Sequence, residues 1–393
     1  MKWNSWDPAI LRYFIFRGTL SRVYLPILVI YMADMGLTLP QIAGITMAGK
    51  VASFFFEVPS GAVADTLGHR RTLVISQIGQ ALSCFFFLGG SLPWILVGTL
   101  TYFLFGSLLT GTGEALFFEY LKSKNKQSEH LKQLGEGKAF SRFFNMIAVF
   151  VGGASYALSP VLPFLICAVQ FAVGAIVIAG FPAANAIKSI EKEEGFTTLL
   201  KHFPRAIKTI WQHRFVFWLV VLNAILIGSI GGTNDFQQLV FTHLGATTVF
   251  IGAVYAVKRV VAMVVASYAH RLAVIGPARV MLLCTILAVA YAMVTPLVSS
   301  FLIYGVVVLL ASVVYSLIEV FFNDYLNQAI PSLSRATTIS VANFATQGVG
   351  VLTASFFAWI HLPPAQIYAV LGAAILVFGA IPLLRIAALQ SKQ

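Results

Sequence analysis

Gly61-Ala62-Val63-Ala64-Asp65-Thr66-Leu67-Gly68-His69-Arg70-Arg71 is a short charged stretch between two long apolar runs, at 40–64 and 72–91. Each run is long enough to cross a hydrocarbon core of about 30 Å as a helix. An Asp and two Arg held between such runs read as the polar connection of two membrane spans at one face of a bilayer.

The same reading extends along the chain. Of its 393 residues, 59% are hydrophobic and 10% are charged, where a soluble domain carries roughly 25% charge. Mean hydropathy is +0.86. These values exclude an ordinary soluble enzyme and a disordered chain. Twelve spans are expected, at 10–32, 40–64, 72–91, 94–120, 138–158, 160–181, 214–242, 248–269, 277–295, 299–326, 337–359 and 363–386. The fold class is an all-α membrane protein. The three cysteines, Cys84, Cys167 and Cys284, lie inside apolar runs, so no disulfide framework is expected. The first 30 residues lack a small-residue cleavage site after their apolar run and read as the first span.

The net charge of +12 raises the question of a nucleic-acid partner, and its distribution answers against one. Lysine and arginine sit in alternate loops: Arg70 and Arg71, then Lys122, Lys124, Lys126 and Lys132, then Lys188 to Lys208, Arg271, Arg279 and Arg335. The opposite connections, near 33–39, 92–93, 159, 243–247, 296–298 and 360–362, contain neither residue. Positive loops stay inside, which places both termini in the cytoplasm. Membrane lipids are then partners, and a bacterial inner membrane is the expected location.

The longest polar stretch, 183–213, divides the chain into spans 1–6 (residues 1–182) and spans 7–12 (residues 214–393). Apolar Phe196, Leu199, Leu200, Phe203, Ile207, Ile210 and Trp211 recur among basic residues within it. That pattern suggests an amphipathic helix on the inner leaflet.

The two halves repeat. Glu114-Ala-Leu-Phe-Phe-Glu119-Tyr120-Leu121 in span 4 has its counterpart in Glu319-Val-Phe-Phe-Asn-Asp324-Tyr325-Leu326 of span 10, with Glu319 and Asp324 each 205 residues after their partners. Gly44 and Lys50 of span 2 are matched by Gly252 and Lys258 of span 8, each 208 residues on. Two parallel six-span bundles related by a pseudo-two-fold axis along the membrane normal follow, with a site expected at mid-membrane between them.

With that frame, the loop at 61–71 resembles the signature of the major facilitator superfamily, G-x-x-x-D-x-x-G-[RH]-[RK]-[RK], matched at Gly61, Asp65, Gly68, Arg70 and Arg71, with His69 an accepted variant. The resemblance covers the whole chain and implies the major facilitator fold. It also implies a gate in which Arg70 and Arg71 pair with a carboxylate at the inner end of span 4, at the depth of Glu119, and Asp65 caps a neighbouring helix. Gly61, Asp65, Gly68, Arg70, Arg71, Glu119, Arg142 and Asp324 become gate residues. The second half keeps His270, Arg271 and Asp324 of such a network. Glu57-Val58-Pro59-Ser60-Gly61 and Gly111-Thr112-Gly113-Glu114-Ala115 look like a widespread bacterial branch of the family, which does not name a cargo. Exporting antiporters of the family often carry a Gly-Pro element in span 5. Here Gly152-Gly153 has no proline between Lys138 and Ser159, which counts against drug efflux.

Charges inside spans usually face a cavity or a partner, since one at the bilayer centre costs about 2.5–3.5 kcal/mol. An inner layer holds Arg17, Glu57, Glu114, Arg142 and Glu319. It reads either as ion pairs, Arg17 with Glu57 and Arg142 with Glu114, or as proton carriers at Glu57, Glu114 and Glu319. A middle layer holds Arg22, Lys50, Lys258 and Arg259 with no acidic residue at its depth. An anionic group on a cargo would supply the missing counter-ion. Asp235, after Gly231-Gly232-Thr233-Asn234, is a proton site or an outer-gate residue, and the two glycines could loosen span 7. Asn223 and Gln238 could add hydrogen bonds to a substrate or merely join helices.

The expected function is a monomeric secondary transporter of a small organic solute, anionic or zwitterionic, coupled to protons. Proton-driven multidrug efflux is the alternative. No phosphate-binding loop of the Gly-x-x-x-x-Gly-Lys-Ser/Thr type is present, and no cofactor is expected. The seven histidines lie in loops or near span ends and are not clustered for catalysis, and no soluble segment is long enough to serve as a sensor's output domain.

Overall fold

The computed structural model describes residues 7–109, 111–126, 129–182, 208, 210–329, 332–360 and 364–390. The side chains of Phe54, Glu57, Asp65 and His270 fall outside the described residues, as does Arg335. So does nearly all of the 183–213 linker, with the amphipathic helix read within it.

Helices account for the spans. Span 1 is filled by α1 (Pro8–Thr19) and α2 (Leu28–Asp34), spans 2 and 3 by α3 (Leu39–Leu67) and α4 (His69–Phe87). Span 4 is filled by α5 (Leu92–Ser107) and α6 (Thr112–Ser123), spans 5 and 6 by α7 (His130–Leu158) and α8 (Leu162–Ala179). Span 7 holds α9 (Arg214–Thr233) and α10 (Gln237–His243). Spans 8 to 12 hold α11 (Thr248–Tyr268), α12 (Pro277–Val294), α13 (Phe301–Ala329), α14 (Ser332–Trp359) and α15 (Pro364–Gln390). Among the described residues, seven of these segments are long and apolar enough to cross a membrane by length and composition alone. The chain divides into two compact units, Met1–Leu37 with Gly44–Phe196, and Thr38–Ala43 with Thr197–Gln393.

In the first unit α4 packs on α8 and α5, and α1 packs on α7 and α8. Aromatic side chains fill the space near its basic end. Tyr13 of α1 stacks on Phe117 of α6, with ring centroids 4.1 Å apart and planes 4° from parallel, and Phe14, Phe16 and Phe181 close around them, all buried. Such a pair adds roughly 0.5–1.5 kcal/mol to the area it buries. Tyr24, Phe87 and Phe164 form a second buried aromatic group toward the opposite end. In the second unit α9 lies against α14 and α12 against α15. Gly228 and Gly232, one turn apart, make the first of these contacts. A Cβ on either would stand 2.7 Å from the Thr346 oxygen or 2.6 Å from the Gly350 oxygen. Small residues four apart let membrane helices approach this closely. Gly232 therefore packs rather than loosens span 7.

Spans 1, 4 and 7 read as continuous helices from the sequence, and the structure interrupts all three. Between α1 and α2 the chain leaves the helix over 20–27, where Pro26 has no N–H to give and disfavours a helical Leu25. Between α5 and α6 the break ends at Gly111, whose φ of +74° is a conformation that side chains resist. In span 7 the interruption is Asn234-Asp235-Phe236. Hydrocarbon offers no hydrogen bonds, so freed carbonyls need protein donors. Each break has them. Gln170 Nε2 of α8 donates to the oxygens of Thr19 (3.0 Å) and Ser21 (2.7 Å). Ser76 Oγ of α4 donates to Phe105 O at 2.5 Å. The hydroxyls of Tyr255 and Tyr368 donate to Asn234 O (3.1 Å) and Thr233 O (3.2 Å).

The internal repeat is visible in backbone detail. Gly36 after α2 and Gly245 after α10 have φ of +82° and +80°. The flanking bonds match as well: Leu37 N donates to Met32 O and Ala246 N to Phe241 O. Every one of these pairs is 209 residues apart. Gly68 and Gly276, with φ of +81° and +84°, begin α4 and α12 alike at a separation of 208. Lys50 on α3 falls opposite Arg259 in the first register and opposite Lys258, its counterpart in the sequence repeat, in the second.

Candidate functional site

The second unit's constellation grows from the break in span 7. Tyr255 and Lys258 lie one turn apart on α11, on the face toward the break. Lys258 Nζ donates to Asn234 Oδ1 and Gln237 Oε1, each at 2.9 Å, and stands 4.6 Å from the centroid of the Tyr255 ring. Gln237 Nε2 in turn donates to the Tyr291 hydroxyl at 2.8 Å. The ammonium is thus held by two neutral amide oxygens and an aromatic face, and among the described residues no carboxylate forms an ion pair with it. Asp235 is half-buried beside Asn234 and acts on Lys258 through space. Arg259 points away and is exposed, as the 100° step between consecutive helical residues requires. Gln238 is buried and hydrogen-bonded to Tyr255. Asn223 is buried too, and its amide donates to Thr346 Oγ1 at 2.9 Å, joining α9 to α14. Glu319 and Asp324 are exposed on α13.

In the first unit Arg22 sits in the span-1 break, half-buried, with its guanidinium carbon 5.0 Å from the Tyr102 ring centroid. Lys50 is half-buried on α3 and has no hydrogen-bond or ion-pair partner among the described residues. Glu114 opens the first turn of α6. It faces Arg17 NH1 at 3.9 Å and Lys138 Nζ at 3.6 Å. The expected partners were different. Arg142 is exposed, one turn beyond Lys138 on α7, and Lys138 takes its place at Glu114. Arg17 pairs with Glu114, while the side chain of Glu57 lies outside the described residues. Around Arg17 and Glu114 is a cavity of about 240 Å³, lined also by Tyr13, Leu73, Gly111 and Gly113.

The 61–71 loop also departs from expectation in its pairing. Gly68 adopts the left-handed turn that starts α4, and Gly61 lies within α3. Glu119 is bridged by His69 Nε2 at 3.3 Å, and Arg70 NH1 donates to Phe181 O at 3.1 Å. The partner of Glu119 is therefore His69, not Arg70 or Arg71, because His69 opens α4 and stands nearest to α6. Arg71 is half-buried.

Several members of these constellations escaped the sequence reading. Tyr255 stands one turn from Lys258, a spacing visible in the sequence. Gly276 and Arg279 repeat the spacing of Gly68 and Arg71. Nothing in the sequence marks Gln237, Tyr291 or Tyr368 as neighbours.

A family model for the Major Facilitator Superfamily matches residues 13–355. Among solved structures, the nucleoside transporter NupG is similar at a TM-score of 0.79 and 14% identity, over 96% of this chain and 98% of that one. A bacterial homologue of the human lysosomal transporter Spinster, inward-facing and occupied, gives 0.70 and 14%, over 97% and 95%. A D-xylose–proton symporter gives 0.62 and 13%, over 94% and 95%. At these identities the likeness is one of fold. No curated protein sequence matches the chain.

Proposed function

The chain belongs to the major facilitator superfamily, and from that premise we propose a secondary active transporter that moves a small anionic or zwitterionic organic solute by alternating access, coupled to protons. It is a membrane transporter and not an enzyme. The bundles 1–182 and 214–393 rock about the 183–213 linker, with both termini cytoplasmic in a bacterial inner membrane, and the working unit is a monomer. Gly61, Asp65, Gly68, Arg70, Arg71, Glu119, Arg142 and Asp324 form the gate. Glu57, Glu114, Asp235 and Glu319 are the proton sites.

One observation carries the anionic cargo. Lys258 is held in place by Asn234 and Gln237, which orient an ammonium without neutralising it. Asp235 acts on it only through space; a buried charge without a paired opposite charge is costly, and a carboxylate or phosphate on the solute offsets that cost when it binds. Arg22, Lys50 and Arg259 add positive charge at the same predicted depth, and Asn223 and Gln238 add amides. A carboxylate that protonates in one half of the cycle lets the gradient drive the other.

The test is solute-driven proton flux in proteoliposomes against a panel of anionic, neutral and cationic compounds. Anionic or zwitterionic compounds are expected to move protons, and Lys258→Met is expected to cut their kcat/KM by about 10–100-fold, the loss of one charged hydrogen bond. Flux only with cationic lipophiles, unaffected by Lys258→Met, would mean efflux of drugs instead.

A further inference from the structure

The two amide oxygens that hold Lys258 are themselves held from behind, by groups other than the lysine. Gln237 Nε2 donates to the Tyr291 hydroxyl at 2.8 Å, which fixes its Oε1 toward α11. The Tyr255 hydroxyl donates to Asn234 O at 3.1 Å and the Tyr368 hydroxyl to Thr233 O at 3.2 Å. These two bonds pin the stretch of main chain on which Asn234 stands. Gln237, Tyr255, Tyr291 and Tyr368 are all buried. Lys258 and Asn234 are half-buried, so the ammonium is open to approach from one side. All of these residues belong to the second unit.

The shell around the nitrogen is what a small monovalent cation needs. Asn234 Oδ1 and Gln237 Oε1 stand 2.9 Å from it, and the centroid of the Tyr255 ring 4.6 Å from it. Neutral oxygen dipoles of this kind replace part of an ion's hydration shell. The negative face of an aromatic ring attracts lysine ammonium and ligand cations alike. Asp235 adds a negative field through space, against the opposing field of Arg259. A divalent ion such as calcium draws carboxylates into its shell. Among the described residues no carboxylate touches this nitrogen, so a single positive charge is the match.

We propose that the oxygens gathered at the break in span 7 form a binding site for a small monovalent cation, and that Lys258 is the cation built into it. The tethered ammonium fills the place that an alkali-metal or ammonium ion would take, without the loss of freedom that capturing a free ion entails. The wild-type protein therefore needs no such ion, and one added from outside competes poorly with the tether. Removing the side chain leaves a polar space whose oxygens still point inward, because Tyr291, Tyr255 and Tyr368 hold them. A free cation then enters and restores the charge. An ammonium carries three N–H donors. Two go to the amides, and the third serves the carboxylate or phosphate of a cargo. This deepens the anionic-cargo reading and rests on it for that last step alone. The cation site itself is testable without transport.

Full-length Lys258→Ala in detergent micelles is titrated with ammonium chloride and with potassium chloride at constant ionic strength, the balance being the bulky N-methylglucamine chloride. Both ions are expected to raise its unfolding midpoint saturably, by about 2–4 °C at about 0.1 M, as binding at a few times Kd does. Lys258→Ser, a second small variant, is expected to follow it. Wild type and Lys258→Met, whose side chain refills the space, are expected not to respond. Adding Asn234→Ala to Lys258→Ala is expected to weaken the cation's apparent affinity about tenfold, the loss of one contact to a charge. An equal response from wild type or Lys258→Met would be a general salt effect and would overturn the proposal. No response in either small variant overturns it as well, as does failure of both to fold in every salt, since the ion is expected to replace the ammonium. A response to ammonium and not to potassium overturns the assignment to metal ions. A cation response with proton flux confined to cationic lipophiles keeps this site and removes the anionic-cargo reading. Anion-driven flux by the wild type, with no cation response in the small variants, does the reverse.

Discussion

His69 Nε2 stands 3.3 Å from Glu119 Oε1, so the loop at the head of α4 is fastened to α6 through its histidine. The neighbouring Arg70 is turned to the Phe181 carbonyl at the end of α8. Two adjacent residues thus bind two different helices. The side chains of His69 and Glu119 are 22% and 29% exposed, so the bridge is worth the modest amount of a partly solvated pair. A double-mutant cycle of His69→Ala and Glu119→Ala, read by unfolding in micelles, is expected to give a coupling of about 0.5–1 kcal/mol. Arg70→Ala with Glu119→Ala should be additive within about 0.5 kcal/mol. A larger coupling in the second cycle would restore the arginine gate that the family signature implies.

Gln170 bonds two main-chain oxygens at the span-1 break. Gln170→Leu leaves both without a donor at a depth where water is scarce. The expected loss is about 1–3 kcal/mol, measured as a lower unfolding midpoint. No change would mean that water or lipid head groups reach the break.

Gly68 has φ of +81°, and a Cβ there would meet nothing within 4 Å. Any cost of Gly68→Ala is therefore conformational and not steric crowding by neighbours. It is expected at about 1–3 kcal/mol, and Gly68→Asn should cost about as much, because at a ψ of 143° the backbone lies outside the left-handed helical region that asparagine tolerates. A clear advantage of Asn over Ala would remove this conformational argument. At Gly276, an added Cβ would in addition approach Gln390 Nε2 at 2.7 Å, so Gly276→Ala should cost at least as much.

Asp7 caps α1 through Ala9 N at 3.0 Å and accepts a bond of 2.5 Å from the Tyr120 hydroxyl. Burial pushes its carboxyl up, but these two bonds and the charges of Lys124 and Lys126 prevail and hold it below the ordinary 3.8. A carboxyl held low in the folded state adds stability above about pH 4, and that addition fades as pH falls through the folded value. Tyr120→Phe is therefore expected to lower the unfolding midpoint at pH 7 and to do so less at pH 3. An effect that grew on acidification would reverse the sign of this assignment.

The apolar runs made the twelve spans legible, because a bilayer demands a minimum length and the chain marks each connection with charge or a turn residue. The interruptions were harder to read. Pro26 and Gly111 are visible as helix breakers, yet whether such a residue bends or ends a membrane helix depends on a donor for the freed carbonyls. For span 1 that donor is Gln170, about 150 residues along the chain. The charged layers were legible as layers, since apolar surroundings make each charge conspicuous. Partners within a layer were not. Lys138 rather than Arg142 meets Glu114 because one helical turn decides which side chain reaches. His69 rather than Arg70 meets Glu119 because successive residues at a helix start diverge by about 100°. Lys258 could be singled out as a cation without an acidic neighbour, whereas the amides that hold it depend on how α10 resumes after its break.

Gln170 uses one amide nitrogen for both oxygens of the bend at Thr19 and Ser21. Straightening that bend into a continuous rod would direct those oxygens back along the rod's own axis and strand the amide in hydrocarbon. Every intermediate shape loses bonds on one side before gaining them on the other. The first span is thereby given the mechanics of a ratchet tooth, stable when seated and unfavourable when half lifted, with α8 as the pawl.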